Sequence, residues 1–381
     1  MNPIIKWPGG KSREIEQFIR IIPKFDRYIE PFFGGGAVFF CLKPQKAVIN
    51  DISSSLITFY QMVKNQDQQM LGYLKAIDES LDELLIRAEQ SSDRLLILYE
   101  CFKKSAVCTT QKDIKESKEC EAWAKENAEE LVRNLAEDLP GLDVIFPDRE
   151  NWIAFLQDNL LEKMLRTWKN EKKIQFSTED LADNLKTGLM SGYYMYFREI
   201  YNQIYLGKRK SSDAYFAAVF FYIREYCYGS MFRCNRSGKF NIPYGGISYN
   251  SKKLRSKITK IYNGEVKELF ENTELYCMDF EKLFSGLTLT EHDFIFLDPP
   301  YDTEFSDYDG RSFKKEDQKR LADFLSRTQA KFVLVIKNTE YIYQLYESHF
   351  SILMFDKKYI YNVKRRNSRS TEHLIITNIE I

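Results

Sequence analysis

The chain has 381 residues, 44% hydrophobic and 29% charged with net charge zero, the balance of a folded globular protein large enough for two or three lobes. No apolar run approaches the roughly 18–20 residues that span a bilayer, and the opening MNPIIKWPGGKSREI lacks a signal-peptide pattern. Seven scattered cysteines without a CxxC pair and three separated histidines (His292, His349, His373) exclude a disulfide frame and a metal site, which predicts a cytoplasmic protein without membrane contact.

In chain order, short strands are expected at 28–33 and 47–50, with a helix opening at Val38–Leu42 after a glycine cluster. ISSSLITFYQMVK, 52–64, reads as a helix capped by the serines after Asp51. Residues 70–140 show helical spacing in Leu71, Leu74, Ile77, Leu81, Leu84 and Leu85, and 151–168 is a second amphipathic run. LPGLDVIFPD breaks the pattern between them. Helices are expected over 190–206 and 213–227, then loop and hairpin over 227–246. Strand signals return at LYCM, FIFL, KFVLVI and SILMF, with a helix in SFKKEDQKRLADFLSRTQ and a basic-tipped hairpin at the end. The order predicts an α/β catalytic domain split between 1–70 and 270–381, a helical insertion at 71–188 and a recognition segment at 189–269.

The zero net charge conceals segregation. Residues 208–260 hold twelve Lys and Arg against two acids, while 78–150 hold nineteen Asp and Glu against ten basic residues. The basic block also carries Tyr226, Tyr228, Phe232, Phe240, Tyr244 and Tyr249, a composition suited to a phosphate backbone with wedged or stacked bases. A solvated basic face is the plainer reading of the charge alone. The acidic stretch reads as a solvated helical surface.

The chemistry concentrates at strand ends. In YIEPFFGGGAVFF a strand ends at Glu30–Pro31, and Gly34–Gly36 turn into a helix where a backbone can approach a ligand. Phe39 stands where a dinucleotide fingerprint would place its third glycine. Asp51, at the end of the next strand, is placed for ribose hydroxyls or for capping the following helix. IIKWPGGK brings Trp7 beside Lys6 and Lys11, which suits a ligand with a planar base and a carboxylate. Asp279 and Phe280 follow a strand, where they could serve an adenine amino group and ring, although ordinary strand-end chemistry is the plainer reading of these residues alone. In FIFLDPPYDTEF two prolines fix the turn after a strand that ends at Asp298. The Asp298 carboxylate and Pro299 carbonyl can each accept one hydrogen of an exocyclic amine, directing its lone pair at an electrophile, while Tyr301 supplies a stacking face. A base within a duplex reaches such a site only when flipped out. A sulfonium methyl donor is already activated, so no metal is required.

KWPGGK, EPFFGGG, Asn50–Asp51, CMDF, DPPY and EHLIITN, in this order, resemble the DNA adenine-N6 methyltransferases of the Dam (D12, alpha) family over about 1–65 and 190–381. The resemblance implies a Rossmann-like S-adenosylmethionine-dependent fold with a helical and hairpin DNA-recognition insertion. It implies S-adenosyl-L-methionine as methyl donor, double-stranded DNA as substrate, a prokaryotic or phage origin, and in some members a cognate restriction enzyme. By motif it assigns Trp7, Lys11, Phe32, Gly34, Gly36, Asp51, Asp279, Phe280 and Asp298 to the cofactor, and Asp298, Pro299, Pro300 and Tyr301 to the target adenine. Within and beside MFRCNRSGKFNIPYG it assigns Tyr228, Met231, Arg233, Asn235, Arg236, Lys239, Asn241, Pro243 and Tyr244 to DNA, with Arg233 reading guanine and Tyr228 wedging into the duplex. Gly229 and Met231 stand where GATC-specific members carry asparagine and leucine, so the resemblance leaves the recognition sequence open, GATC included. The alternatives are a cytosine-N4 or RNA-base amino-methyltransferase, and a catalytically inert DNA-binding relative. The segment from about 75 to 188, absent from compact members, is expected to form a lid, a partner surface or a scaffold.

Overall fold

AVIN at 47–50 and DFIFL at 293–297 are runs of mainly β-branched and aromatic residues, and every side chain in them is buried, as in strands covered on both faces. The computed structural model describes residues 1–107, 111–301, 307–308, 311–358 and 370–380. Its strands are β1 (Arg27–Glu30), β2 (Ala47–Asn50), β3 (Thr273–Tyr276), β4 (Asp293–Leu297), β5 (Asp307–Tyr308), β6 (Arg311–Ser312), β7 (Lys331–Lys337), β8 (Ser351–Lys358) and β9 (Ser370–Thr377). β5 and β6 pair with each other; the remaining strands form one sheet in the order β3-β2-β1-β4-β7-β9-β8. The strands from β3 to β7 are parallel, and β9 inserts antiparallel between β7 and β8.

This order reverses between β1 and β4, where Ile29 lies opposite both Val48 and Ile295. Connections leave the two strands toward opposite sides, and a crevice opens beyond their carboxyl ends. Beneath it, Ile29, Val48, Ile295 and Leu334 pack with Leu283 and Phe284 of the helix Phe280–Ser285 and with Leu321 and Leu325 of the helix Lys315–Leu325. Each fully buried aliphatic side chain contributes about 1.5–3 kcal/mol. The expected closing hairpin is present as β8 and β9, while its basic tip lies outside the described residues.

The chain divides into a sheet unit (1–67, 229–241 and 260–381) and a helical unit (68–228 and 242–259). The expected boundary between 188 and 189 falls inside one continuous helix, Thr178–Tyr205. That helix packs against Arg149–Glu171, and the approach is too close for side chains at two positions: a Cβ on Gly192 would lie 2.6 Å from the Leu156 Cα, and one on Gly188 3.1 Å from the Leu160 Cα. Helices assigned by sequence to an insertion and to a recognition segment therefore share one packed core. Among the described residues no helix is long and apolar enough to cross a membrane.

Much of the basic block turns inward within the helical unit. Arg224 is fully buried, and buried Glu225 is gripped by Lys252 at 2.7 Å and Lys257 at 2.6 Å. Lys253 pairs with Asp82, and the buried Asp78 carboxylate accepts from the Leu254 amide at 2.7 Å. These contacts tie 252–257 to the helices and leave fewer charges for a phosphate backbone than the count of twelve implies.

Burial alone would raise the Glu225 carboxyl, but the two ammonium groups outweigh it and the folded pKa lies below the unfolded one. The resulting stabilisation is complete above the unfolded value near about 4.3 and disappears as pH falls through the lower folded value. Glu225→Gln is expected to cost about 3 kcal/mol at pH 7, because it leaves two partly buried ammonium groups uncompensated. Melting temperatures from pH 7 to pH 3 should fall less steeply for the variant than for the unaltered protein.

Candidate active site

Three strand ends must be held at fixed separation for a crevice to persist, and one buried side chain does this. The Asn50 amide donates to the Pro31 carbonyl and the Met278 carbonyl, both at 3.0 Å, and its oxygen accepts from the Met278 amide at 3.0 Å. It thereby joins the turn after β1, the end of β2 and the loop after β3. The adjacent Asp51 carboxylate accepts from the Gly34 amide at 2.8 Å and the Ser53 amide at 2.9 Å. The expected serine cap of the helix Ser54–Lys64 is absent: the Ser53 side chain caps nothing, and Asp51 orders the turn instead.

Gly34 and Gly36 adopt φ of +51° and +65°. A Cβ on Gly34 would meet the Trp7 ring at 2.6 Å, and one on Gly36 the Phe33 ring at 2.5 Å, so only glycine fits the turn. The turn and the DPPY segment enclose a cavity of about 310 Å³, within the usual range for a small-molecule site. Trp7, Lys11, Phe32, Gly34, Gly36, Asp51, Asp279, Phe280, Asp298, Pro299, Pro300 and Tyr301 all line it, so every residue assigned by motif to cofactor or target base is gathered here.

One wall is aromatic. Phe32, Phe280 and Phe313 approach one another with ring centroids 5.5–5.9 Å apart. Arg320 lies 4.7 Å over the Phe280 ring, forks onto both Asp279 oxygens at 3.2 and 3.0 Å, and also reaches Glu281 and Asp317. Asp279 additionally caps the helix Phe280–Ser285 by accepting from the Glu281 amide. The opposite side is charged. Buried Lys11 pairs with Asp298 and lies 3.4 Å from the Tyr301 hydroxyl. Gln318, fully buried, donates to the Pro300 carbonyl at 3.0 Å and so holds the turn itself. Glu30, also buried, is pushed well above the usual carboxylate range by burial; the Tyr28 hydroxyl at 2.8 Å opposes this, and the Asp298 and Asp51 charges add to it.

The recognition residues separate into groups. Met231, Arg233, Asn235, Arg236, Lys239 and Asn241 occupy a hairpin closed by the Cys234–Phe240 bridge, with Arg233 and Arg236 exposed. Phe232 joins this hairpin to Trp7 at 5.2 Å. The Asn235 side-chain oxygen accepts from the Ser237 and Lys239 amides, both at 3.0 Å, and so builds the hairpin tip. Tyr228, Pro243 and Tyr244 belong to the helical unit. Tyr228 is 50% exposed, but Tyr244 is buried and its hydroxyl is bonded to Asn250, so its ring is interior structure. Sequence reasoning gave no role to Glu30, Asn50, Gln318, Arg320 or His373, and named Phe232 only among the aromatics of the basic block. Glu30, Asn50 and His373 stood inside quoted motifs. Gln318 and Arg320 had only the look of a polar helix face. Among the described residues no group of three or more acids, histidines and cysteines could hold a metal ion.

Asn50→Leu would leave the Pro31 and Met278 groups unpaired in the interior, at about 1–3 kcal/mol for each unsatisfied group. Calorimetry should show a lowered melting temperature; unchanged melting would contradict the bracing role.

Comparison with known proteins follows the same outline. A family described as D12 class N6 adenine-specific DNA methyltransferase matches residues 7–90 and 147–361. The chain is 25% identical to the type II methyltransferase M.CviBI of Paramecium bursaria Chlorella virus NC1A, covering 99% of this chain and 100% of that protein. It is 24% identical to the type II methyltransferase M.MjaIII of Methanocaldococcus jannaschii, over 96% and 94% of the two chains. It is also 24% identical to the DNA N-6-adenine-methyltransferase of Escherichia phage P1, over 90% of this chain and 31% of that one. The first two alignments also span the residues of the helical unit.

Proposed function

The chain belongs to the D12 class of N6 adenine-specific DNA methyltransferases, and from that premise we propose how its residues carry out the transfer and choose their site. It is a DNA methyltransferase acting on adenine N6, with the mixed α/β fold of that class. The methyl donor is S-adenosyl-L-methionine. The cavity suits it on the chemistry of its walls: aromatic faces at Phe32 and Phe280 for the adenine, the Asp51 carboxylate for ribose hydroxyls, and a glycine turn that a Cβ would obstruct. Trp7, Lys11, Asp279 and Asp298 complete the set. When bound, this cofactor supplies a methyl group on a positively charged sulfur.

The single observation that carries the reading is the convergence of both motif sets on one cavity at the β1/β4 switch. Adenine N6 is a poor nucleophile because its lone pair is delocalised into the ring. Lys11 engages one Asp298 oxygen, leaving the other oxygen to accept from the amine together with the Pro299 carbonyl. Two acceptors on the amine hydrogens favour a pyramidal nitrogen, whose lone pair is withdrawn from conjugation with the ring. Tyr301 stacks on the base, which enters from double-stranded DNA by flipping. Lys11 also offsets the negative charge that would otherwise collect at Asp298 and Asp51.

Site choice falls to the hairpin. Arg233, exposed at the base of the hairpin whose tip Asn235 braces, suits bidentate contact with guanine in the major groove. Exposed Tyr228 suits a wedge between bases. The protein is expected in the cytoplasm, either as an orphan enzyme or, as the type II methyltransferases among its relatives favour, beside a cognate restriction enzyme.

Asp298→Ala is expected to abolish methyl transfer to unmethylated duplex DNA while circular dichroism and melting remain near those of the unaltered protein; retained turnover would refute the assigned role. Arg233→Ala should relax selectivity at one base position, at a cost of about 1–3 kcal/mol, with cofactor affinity unchanged. Unaltered motif selectivity would remove Arg233 from base reading.

A further inference from the structure

His373 lies on β9, paired across the ladder with Lys337 of β7 and Phe355 of β8, and is fully buried. Its Nε2 is 3.2 Å from the Tyr301 hydroxyl, and the two rings meet edge to face with centroids 5.6 Å apart at 71°. The same hydroxyl lies 3.4 Å from Lys11 Nζ, which pairs with Asp298. A continuous polar path thus runs from the Asp298 carboxylate through Lys11 and the Tyr301 hydroxyl to His373.

We propose that His373 is a positioning residue for methyl transfer, acting through Tyr301. A tyrosine ring has two torsions. A hydrogen bond at the hydroxyl fixes the first by holding the tip of the ring, but leaves rotation about the ring's long axis free, since the oxygen lies on that axis. The edge-to-face contact with the imidazole restricts this second rotation. One side chain therefore sets both the direction and the plane of the ring. Gln318 holds the Pro300 carbonyl one residue earlier, so the backbone that carries the ring is fixed independently. The plane of Tyr301 decides the plane of a base stacked on it, and hence the angle at which its amine meets the methyl donor. Misplacement on that scale is felt in the chemical step far more than in binding.

The proposal rests on the reading of Tyr301 as the platform for the target base. Four variants separate the two: Tyr301→Ala removes the platform, Tyr301→Phe only the hydroxyl, His373→Phe only the polar contact, and His373→Gln only the ring while keeping a donor and an acceptor. The measurements are single-turnover methyl transfer to unmethylated plasmid DNA, cofactor affinity and melting temperature. The expected result is a fall in single-turnover rate of about tenfold for His373→Phe and Tyr301→Phe, with cofactor affinity within about twofold. His373→Gln, which keeps the polar contact but loses the edge-to-face contact, recovers only part of the rate lost in His373→Phe, and the double Phe variant is no slower than either single one, as for two halves of one contact. Should His373→Phe fold poorly, Tyr301→Phe breaks the same bond from the other side. A normal rate in Tyr301→Ala sinks the platform reading itself. An inactive Tyr301→Ala with normal rates in Tyr301→Phe and His373→Phe leaves the platform standing and overturns the role of His373. A loss in His373→Phe that is matched by lost cofactor affinity and melting temperature also overturns it, as a general structural effect.

Discussion

A parallel sheet opens a crevice wherever its connections part, but the opening is useful only if the loops around it cannot collapse or drift. Here that constraint is met by the Asn50 amide, buried at the end of β2 and bonded to the segments that follow β1 and β3. With those segments fixed, the glycine turn presents its backbone to the cavity, Asp51 can brace that turn, and Asp279 arrives at the head of its helix. A neutral amide suits the task because it both donates and accepts, and its burial carries no cost of desolvating a charge. The neighbouring acid could not replace it.

Charge within the cavity follows a similar economy of position. Asp298, Asp51 and Glu30 lie close enough to raise the last of them, and buried Lys11 is the cation set among them. On the other wall Arg320 draws Asp279, Glu281 and Asp317 together and lies over Phe280, which keeps an aromatic face and a carboxylate in fixed relation. The DPPY segment is thus held from behind: Asp298 by Lys11, Pro300 by Gln318, Tyr301 by His373.

The parts legible in the sequence were those with local causes. FIFL and AVIN declare strands by composition, the glycine run declares a turn, and two prolines after Asp298 declare a fixed corner. The motif residues assigned to cofactor and base accordingly gather in one cavity. What the sequence hid depends on partners far along the chain. Arg320 and Gln318 belong to an amphipathic helix whose polar face looks solvated until the loops it grips are in place. His373 looked like an isolated histidine because Tyr301 is distant in sequence. Counting charge between 208 and 260 overstated the basic surface, since Glu225, Asp82 and Asp78 take up charges that no local pattern pairs with them. Tyr244 was misjudged for the same reason: an aromatic beside a basic loop has no local sign that it faces inward. The division at 188 failed because helical periodicity shows a helix but not its neighbours.

The account stands on adenine N6 as the atom methylated at a chosen sequence. Its most direct measurement is single-molecule sequencing of DNA from cells that produce the protein, in a host lacking adenine methylation of its own. The predicted result is N6-methyladenine at one recurring short motif, at nearly every copy of it, and none in cells producing the Asp298→Ala form. A folded, DNA-binding protein that leaves the genome without N6-methyladenine, or marks cytosine instead, would contradict it.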